Sequence, residues 1–328
     1  MSPRYCTQQK LAQVGVTGQQ RLVGARVLVV GAGGLGSTLL PLLAGAGVGQ
    51  LQLVDPDTVE LSNLHRQTLY RMDDLGQSKV QAAVASLHAL NPQVQVHAEQ
   101  QALDPANAPG WVAQADVVVD AADQFAVSYA LSDACLATGT PLVSASAQAL
   151  DGYAGVFCGD APSYRALFPR WPVQAADCAS AGVLGPVVAM IGSLQAQLVL
   201  ALLLKMTPSP CGRLWRWDGQ SMAFSQFNFG EAEEPVNSLP LVGHTQLKED
   251  DLPIDLRSAA EAPLTVREDA VRCALPELRQ ILPELPRDQR LVLTCRSGMR
   301  AARAAEQLQQ SGFTRLALLA MGEVDRHR

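Results

Sequence analysis

Four charged residues in this sequence stand where a nucleotide site would need them. Asp55 and Asp123 each come at the end of an apolar run, and Arg66 and Lys79 follow successive predicted strand-to-helix turns. Cationic side chains can balance the charge of a triphosphate, and a carboxylate can hold Mg²⁺. The set predicts phosphate chemistry, with Arg66, Lys79 and Asp123 as catalytic candidates and Asp123 as the magnesium ligand.

A glycine-rich run lies ahead of these charged residues. Residues 27–30 are only Val and Leu, which is typical of a strand buried on both faces of a parallel sheet. The next glycines permit a tight turn and bring backbone N–H groups close to a phosphate at a helix N-terminus; they are Gly31, Gly33, Gly34 and Gly36. Asp55 has about the spacing of an acidic residue that holds a ribose hydroxyl. The glycines and Asp55 alone would also suit a nicotinamide or flavin cofactor.

Apolar runs alternate with helix-like spacing over most of the chain. We predict a helix or arm over 1–24 with Leu11, Val14 and Leu22 as apolar contacts, then strands near 25–30, 50–55, 94–97, 115–120, 141–145 and 214–229. Helices between them predict an α/β fold, with a doubly wound, mostly parallel, Rossmann-like sheet over 1–230. An acidic, proline-bearing linker over 231–249 leads to a second, smaller α/β pattern over 250–328.

The composition bounds the class of protein. Of the 328 residues, 48% are hydrophobic and 17% are charged, which suits a soluble globular protein with two domains. The net charge of −6 gives no support to nucleic-acid binding. Seven scattered cysteines without a C-x-x-C pair, and a polar N-terminus without an apolar signal core, favour the cytoplasm. The apolar stretch 182–206 is broken by glycine, proline and glutamine, so we predict a core or dimer-interface helix and no membrane span.

Six segments, in this order, resemble the adenylating enzymes related to ubiquitin-activating enzyme, in particular the bacterial MoeB/ThiF/HesA group. They are GAGGLG at 31–36, LVDPDTVELSNLHRQTL at 53–69, GQSKV at 76–80, VVVDAADQ at 117–124, PLVSASA at 141–147 and AGVLGPVVAMIGSLQA at 181–196. The resemblance covers about residues 4–229. It implies a homodimer that uses ATP to adenylate a ubiquitin-like sulfur-carrier protein ending in Gly-Gly.

The resemblance also implies roles for individual residues. Asp55 would hold the ATP ribose, Asp123 would bind Mg²⁺, and four polar side chains would surround the phosphates: Asn63, Arg66, Gln67 and Lys79. The carboxylate of the carrier's C-terminal glycine would attack the α-phosphate, giving an acyl-adenylate and pyrophosphate. AMP would then be the leaving group that a free carboxylate lacks.

This chain departs from the family pattern at three places. The pattern R-Y-x-R-Q becomes RYCTQ at 4–8, so Thr7 cannot supply the charge that would reach into a neighbouring protomer's site. The usual D-N becomes Asp123-Gln124. The C-x-x-C pairs that hold structural zinc are missing, since 163–166 is SYRA and 214–237 contains no cysteine. Because tetrahedral zinc needs four soft or imidazole ligands, we predict that zinc is absent.

Two cysteines are candidates for sulfur chemistry. Cys178 lies where some relatives carry a cysteine that bonds covalently to the carrier, just ahead of a predicted helix N-terminus that favours thiolate. Cys295 opens the loop CRSGMR, which would direct backbone N–H groups and a helix dipole at the sulfur. This loop resembles that of a rhodanese domain, over about 250–323, although the H-I-P-G-A segment is not recognisable and the domain is short. Cys135 and Cys158, in apolar settings, are predicted to be core residues.

The sequence therefore predicts an adenylyltransferase joined to a rhodanese-like sulfurtransferase. Cys295 would pass sulfur from a cysteine desulfurase or another donor to the activated carrier, giving a thiocarboxylate. Two alternatives stay open. A catalytically weak carrier-binding scaffold is favoured by Thr7 and by the lost zinc motifs, whereas a nicotinamide-dependent oxidoreductase would bind NAD without magnesium.

Overall fold

The computed structural model describes residues 3–172 and 182–320. Eight strands form the larger of its two sheets: β1 (Arg26–Val30), β2 (Gln50–Val54), β3 (Gln95–Glu99), β4 (Val117–Asp120), β5 (Leu142–Gln148), β6 (Asp151–Phe157), β7 (Arg213–Asp218) and β8 (Ala223–Asn228). Their spatial order is β3-β2-β1-β4-β5-β6-β7-β8. The first five strands in this order, β3 to β5, are parallel to one another. The predicted α/β Rossmann-like sheet is confirmed.

The central strand β1 lacks polar alternation because a buried apolar cluster covers each of its faces, one around Leu28 and Val30 and the other around Val27 and Val29. Val27, Leu28 and Val29 are fully buried. The register places Val27 beside Leu51 on β2 and beside Val117 on β4. The ends of β1, β2 and β4 therefore meet at one edge of the sheet, where open parallel sheets bind their ligands.

Three antiparallel strands extend the sheet beyond β5, and β6 among them was not expected from the sequence. β5 and β6 form a tight hairpin, in which Ala149 takes a positive φ of 53°. Gly152 and Gly155 interrupt the apolar alternation of β6, so its pattern does not stand out. β7 and β8 occupy the strand region predicted near 214–229.

Seven helices within the described residues accompany this sheet: α1 (Gly15–Gly24), α2 (Gly34–Ala46), α3 (Lys79–Leu90), α4 (Ala108–Val112), α5 (Phe125–Thr138), α6 (Tyr164–Leu167) and α7 (Gly185–Leu203). By length and composition α7 could cross a membrane, yet half of its most apolar window is buried. It packs against α2, and the side chain of Gln195 donates hydrogen bonds to the carbonyls of Asp120 and Val143. These are the contacts of a core helix.

The N-terminal segment differs from the prediction at one residue. Val14 and Leu22 are buried and cluster with Leu204 after α7. Leu11 was predicted as a further apolar contact, and this is wrong, since Leu11 is 56% exposed. It lies in the turn that precedes α1, outside the buried face of that helix.

A second, all-parallel sheet follows the predicted linker. It contains β9 (Leu252–Asp255), β10 (Val271–Arg272), β11 (Leu291–Cys295) and β12 (Leu316–Ala320), in the order β10-β9-β11-β12. Its helices are α8 (Leu278–Ile281) and α9 (Met299–Gln310). We call residues 3–230 the large unit and residues 250–320 the small unit.

The two units are in contact. Between them, Leu241 bridges to Leu318 on β12, and the N–H of Val242 donates to the Leu318 carbonyl at 2.9 Å. One buried apolar cluster includes Tyr129 and Trp171 of the large unit and reaches β11 of the small unit. The units therefore share part of their packing.

Candidate active site

The glycine turn after β1 is closed by backbone contacts that no larger residue would permit. Gly31 has a φ of +102°, and a Cβ there would lie 2.5 Å from the Ala121 carbonyl oxygen. A Cβ on Gly36 would lie 2.1 Å from the Gly31 carbonyl oxygen. Gly33 and Gly34 begin α2. The turn thus brings a helix N-terminus to the ligand edge of the sheet, an arrangement that binds phosphate.

Asp55, the predicted ribose ligand, ties this turn to the end of β2. One carboxylate oxygen accepts a hydrogen bond from the Ala32 N–H at 2.7 Å, and the other accepts one from the Asp57 N–H at 2.8 Å. Burial raises the pKa of Asp55, an effect that the nearby Lys79 opposes. The hydroxyl of Tyr70 donates to the Ala32 carbonyl at 2.7 Å. The carboxylate is therefore held in place before any ligand binds.

Lys79 is the first residue of α3 and lies in the same network. Its side chain is only 7% exposed, and its Nζ lies 2.8 Å from a carboxylate oxygen of Asp57, whose side chain is 62% exposed. The Lys79 N–H also donates to the Asp57 carbonyl at 3.0 Å. The sequence reasoning missed Asp57 and placed it in a polar loop. Its position two residues after Asp55 was the available signal.

The loop before α3 carries the other predicted phosphate ligands. A Cβ placed on Gly33 would lie 3.7 Å from the Gln67 Nε2, and one placed on Gly34 would lie 3.7 Å from the Arg66 Cγ. The Asn63 carbonyl accepts hydrogen bonds from the N–H groups of both residues. Gln67 is 3% exposed, and its Oε1 has no hydrogen-bond partner among the described residues. A buried unpartnered acceptor costs free energy, but a phosphate oxygen has no hydrogen to give it. The amide atom that can donate to a phosphate oxygen is the Gln67 Nε2, which lies 3.7 Å from the Cβ position of Gly33.

Asp123 follows β4 and is exposed at the same edge. Its neighbours Ala121 and Ala122 lie against the Gly31 turn. Mg²⁺ usually keeps several waters and binds through one or two carboxylates together with substrate phosphates. An exposed carboxylate beside the phosphate-binding turn fits such an ion, although the described residues hold no cluster of three potential metal ligands.

A buried carboxylate, Asp120, lies beneath Asp123. It is fully buried, and that burial raises its pKa to about 6 against the opposing hydrogen bonds from Ser128 and Ser144. The Ser144 hydroxyl donates at 2.7 Å. The sequence reasoning took this residue as the end of a strand only.

The segment 163–166, where the family pattern has its first C-x-x-C pair, makes hydrogen bonds and an ion pair in this chain. Ser163 is 1% exposed, and its N–H and hydroxyl donate to the two carboxylate oxygens of Glu234 at 2.7 and 2.6 Å. Arg165 donates two hydrogen bonds to Asp133 and lies over the Tyr129 ring. None of these residues supplies a thiolate, so they do not fit a tetrahedral zinc site.

Cys295 ends β11 and is fully buried. Its Sγ lies 3.1 Å from the N–H donor of Gly298 and 3.4 Å from that of Ala301, at the start of α9. Arg300 donates to the Glu261 carboxylate and to the Leu256 carbonyl, and it lowers the pKa of Glu261. The predicted cradle of backbone N–H groups is thus present around the sulfur.

The remaining cysteines that the sequence analysis singled out are either buried in the core or outside the described residues. Cys135 and Cys158 are buried as predicted, and burial raises the pKa of both thiols, that of Cys158 to about 12. The cysteines in the described residues are free. Cys178 lies outside the described residues, so its predicted role has no structural account.

The family model of the ThiF family matches residues 5–237, which contain the turn and every charged residue around it. The chain belongs to the ThiF family. Two curated relatives are similar to this chain over most of their own length. "SAMP-activating enzyme E1" of Haloferax volcanii is 42% identical over 67% of this chain and 83% of its own length. "Probable adenylyltransferase/sulfurtransferase MoeZ" of Mycobacterium tuberculosis is 32% identical over 95% of this chain and 89% of its own length.

Other matches of this ThiF family chain are more limited. "Adenylyltransferase and sulfurtransferase MOCS3" of Bos taurus is 47% identical, over 66% of this chain and 48% of the relative. The crystal structure of E. coli MccB matches with a TM-score of 0.62 at 22% identity, over 72% of this chain and 74% of MccB, which shows the fold alone. The names of the curated relatives confirm the predicted class of enzyme, an adenylyltransferase.

Proposed function

We propose that this ThiF family enzyme uses ATP to adenylate the C-terminal glycine of a ubiquitin-like sulfur-carrier protein. The observation that carries the proposal is the position of the Arg66 side chain and of the Gln67 Nε2, both hydrogen-bond donors, against the glycine turn. A nicotinamide cofactor would not need the cationic side chains of Arg66 and Lys79, and the curated names favour the adenylyltransferase.

The residues divide the work of this reaction. Asp55 holds the ribose, and Arg66 and Lys79 balance the charge that develops on the phosphates as the carrier carboxylate attacks the α-phosphorus. Pyrophosphate leaves, and the acyl-adenylate forms. Asn63 and Gln67 orient the phosphates, and Mg²⁺, held by Asp123, would neutralise phosphate oxygens. Because the turn and Asp55 are held in place beforehand, little reorganisation is needed in the transition state.

Magnesium-dependent ATP–pyrophosphate exchange tests the proposal. The full chain is assayed with a panel of small carrier proteins ending in Gly-Gly, and we expect exchange with at least one of them. Exchange that stays at background with every carrier, while carrier binding is still detected, would favour the scaffold alternative. Thr7 would then be the first residue to examine as the cause of the missing activity, since it stands where the family pattern has arginine.

We also propose that the small unit is rhodanese-like and transfers sulfur through Cys295. The N–H groups of Gly298 and Ala301 would stabilise a thiolate or persulfide. The terminal sulfur of the persulfide attacks the acyl carbon and AMP leaves; a second thiol then attacks the Cys295 sulfur, releasing the thiocarboxylate and forming a disulfide with Cys295. A cysteine desulfurase or another sulfur donor would supply the persulfide. The free cysteines of the described residues suit action in a reducing compartment such as the cytoplasm, and the homodimer is proposed from the family resemblance alone.

Sulfur transfer has its own test. The Cys295→Ala variant should lose transfer from thiosulfate or from a desulfurase persulfide while it keeps ATP–pyrophosphate exchange. Equal sulfur transfer by the variant and the parent would remove Cys295 from the reaction.

A further inference from the structure

Trp171 of the large unit covers the Cys295 loop of the small unit. A Cβ placed on Gly298 would lie 2.6 and 2.7 Å from two atoms of the Trp171 ring. Gly298 is the residue whose N–H donates to the Cys295 Sγ. Trp171 is 8% exposed and Cys295 is fully buried. The indole therefore lies directly on the backbone that surrounds the sulfur.

Trp171 is itself held by the large unit. Its ring stacks on Tyr129, with ring centroids 4.6 Å apart and planes inclined by 29°. The Tyr129 hydroxyl donates to the carbonyls of Phe168 and Arg170, which precede Trp171 in the chain, at 2.8 and 3.3 Å. Tyr129 and the backbone at 168–170 thus fix the direction from which Trp171 approaches the loop.

The same tyrosine connects this contact to the nucleotide edge. Tyr129 lies on α5, a helix that begins at Phe125, two residues after Asp123. The Arg165 guanidinium lies 4.8 Å from the centre of the Tyr129 ring. A continuous series of packed groups therefore runs from the helix beside Asp123 to the Cys295 loop.

From these contacts we infer that Trp171 is a positioning residue that docks the Cys295 loop on the large unit and shields the thiol until the contact opens. The inference rests on the proposed function only for the use it gives to Cys295. The shielding follows from geometry, because a fully buried thiol reacts with a reagent only through opened states of the protein. Opening would expose Cys295 to a sulfur donor, and closing would return the thiol to its buried position under Trp171.

The rate of Cys295 alkylation tests the inference without a carrier or ATP. The folded full chain is treated with iodoacetamide, and mass spectrometry follows the modification of each cysteine over time. We expect Cys295 to react at least ten times faster in Trp171→Ala than in the parent, and several times faster in Trp171→Phe, which keeps a smaller ring. Trp215→Ala removes a tryptophan of β7 and should leave the Cys295 rate unchanged.

Two buried cysteines report whether each unit stays folded. Cys135 lies in the core of the large unit, and Cys273 lies beside β10 in the small unit. Both should remain slow in every variant. If Trp171→Ala also accelerates the alkylation of Cys135 and Cys273, the Trp171→Phe variant is the deciding one. Faster alkylation of Cys295 in that variant, with Cys135 and Cys273 still slow, supports the inference. An unchanged Cys295 rate with protected reporters overturns it.

This outcome is separable from the proposed function. If the parent gives no ATP–pyrophosphate exchange with any carrier, the proposed adenylation fails while the alkylation rates still measure the Trp171 contact. If exchange occurs but Cys295 in the parent reacts as fast as it does in the urea-unfolded chain, the adenylation proposal stands and the shielding by Trp171 does not.

Discussion

The nucleotide edge of the large unit and the Cys295 loop of the small unit use charge in opposite ways. At the nucleotide edge, Arg66 has no carboxylate partner within the described residues, and Asp123 is exposed. At the Cys295 loop, Arg257 is buried against Asp255, and Arg300 pairs with Glu261. Arg66 and Asp123 are therefore available to a ligand, although Lys79 is paired with the exposed Asp57, whereas the charges of the second region are bound within the protein.

This difference indicates what each region needs before it can act. The nucleotide edge is a preformed surface whose charges a triphosphate would complete. The Cys295 loop is complete in itself and is closed by Trp171. We therefore expect ligand affinity to limit the first region and an opening motion to limit the second. The following predictions test this contrast.

The largest expected effect comes from the buried ion pair of the small unit. Arg257 is 2% exposed, and it donates to both carboxylate oxygens of Asp255. Arg257→Met leaves the Asp255 carboxylate buried without its partner, which should lower the free energy of unfolding of the small unit by about 3–5 kcal/mol. Urea unfolding measures the change, with the alkylation of Cys273 as the probe of the small unit.

The exposed pair between Arg26 and Asp116 supplies the matched control for this variant. Its side chains are 47% and 42% exposed, so Arg26→Met should cost at most about 1 kcal/mol. Similar losses in the two variants would contradict the view that the small unit depends on its internal charges.

The next largest effect is expected at Lys79. Lys79→Met removes a preformed cation, so ATP–pyrophosphate exchange should fall about 10²- to 10³-fold, while the Cys295 alkylation rate stays at that of the parent. Lys248→Met, at an exposed lysine between the units, is the control. A variant that exchanges as fast as the parent would show that Lys79 serves only as the partner of Asp57.

The sequence predicted those parts of both regions that depend on local spacing. The glycine turn, Asp55 and the place of Cys295 between a strand and a helix all follow from residues close together in the chain. Asp57 as the partner of Lys79, and Trp171 on Gly298, join segments 22 and 127 residues apart, and no periodic pattern marks such pairs. β6 was missed for a local reason, because Gly152 and Gly155 interrupt the alternation of apolar and polar residues along the strand.

A smaller effect, dependent on pH, is expected at Asp120. Burial raises its pKa from the ordinary value of 3.8 to about 6, so the folded protein retains a proton that the unfolded chain releases between these pH values. The contribution of Asp120 to stability should therefore fall as the pH rises from 4 to 6, by about 3 kcal/mol at most. Asparagine does not titrate, so urea unfolding of the parent and of Asp120→Asn should show that change as a difference between them.

A flat difference for Asp120→Asn would mean that folding does not raise the pKa of Asp120, and the buried carboxylate next to the nucleotide edge would then be charged over this pH range.

The smallest effect is expected at Glu234, four residues beyond the end of the large unit. Its carboxylate accepts two hydrogen bonds from the buried Ser163, although Glu234 itself is exposed. Glu234→Gln should therefore lower the free energy of unfolding by about 1 kcal/mol, and the neighbouring Glu233→Gln should leave it unchanged. A chelator should not alter the unfolding of the parent, because these hydrogen bonds join the two segments where the family resemblance implies zinc. A lower unfolding midpoint with chelator, or one tightly held zinc per chain, would mean that a metal joins them and that the bonds between Ser163 and Glu234 are secondary.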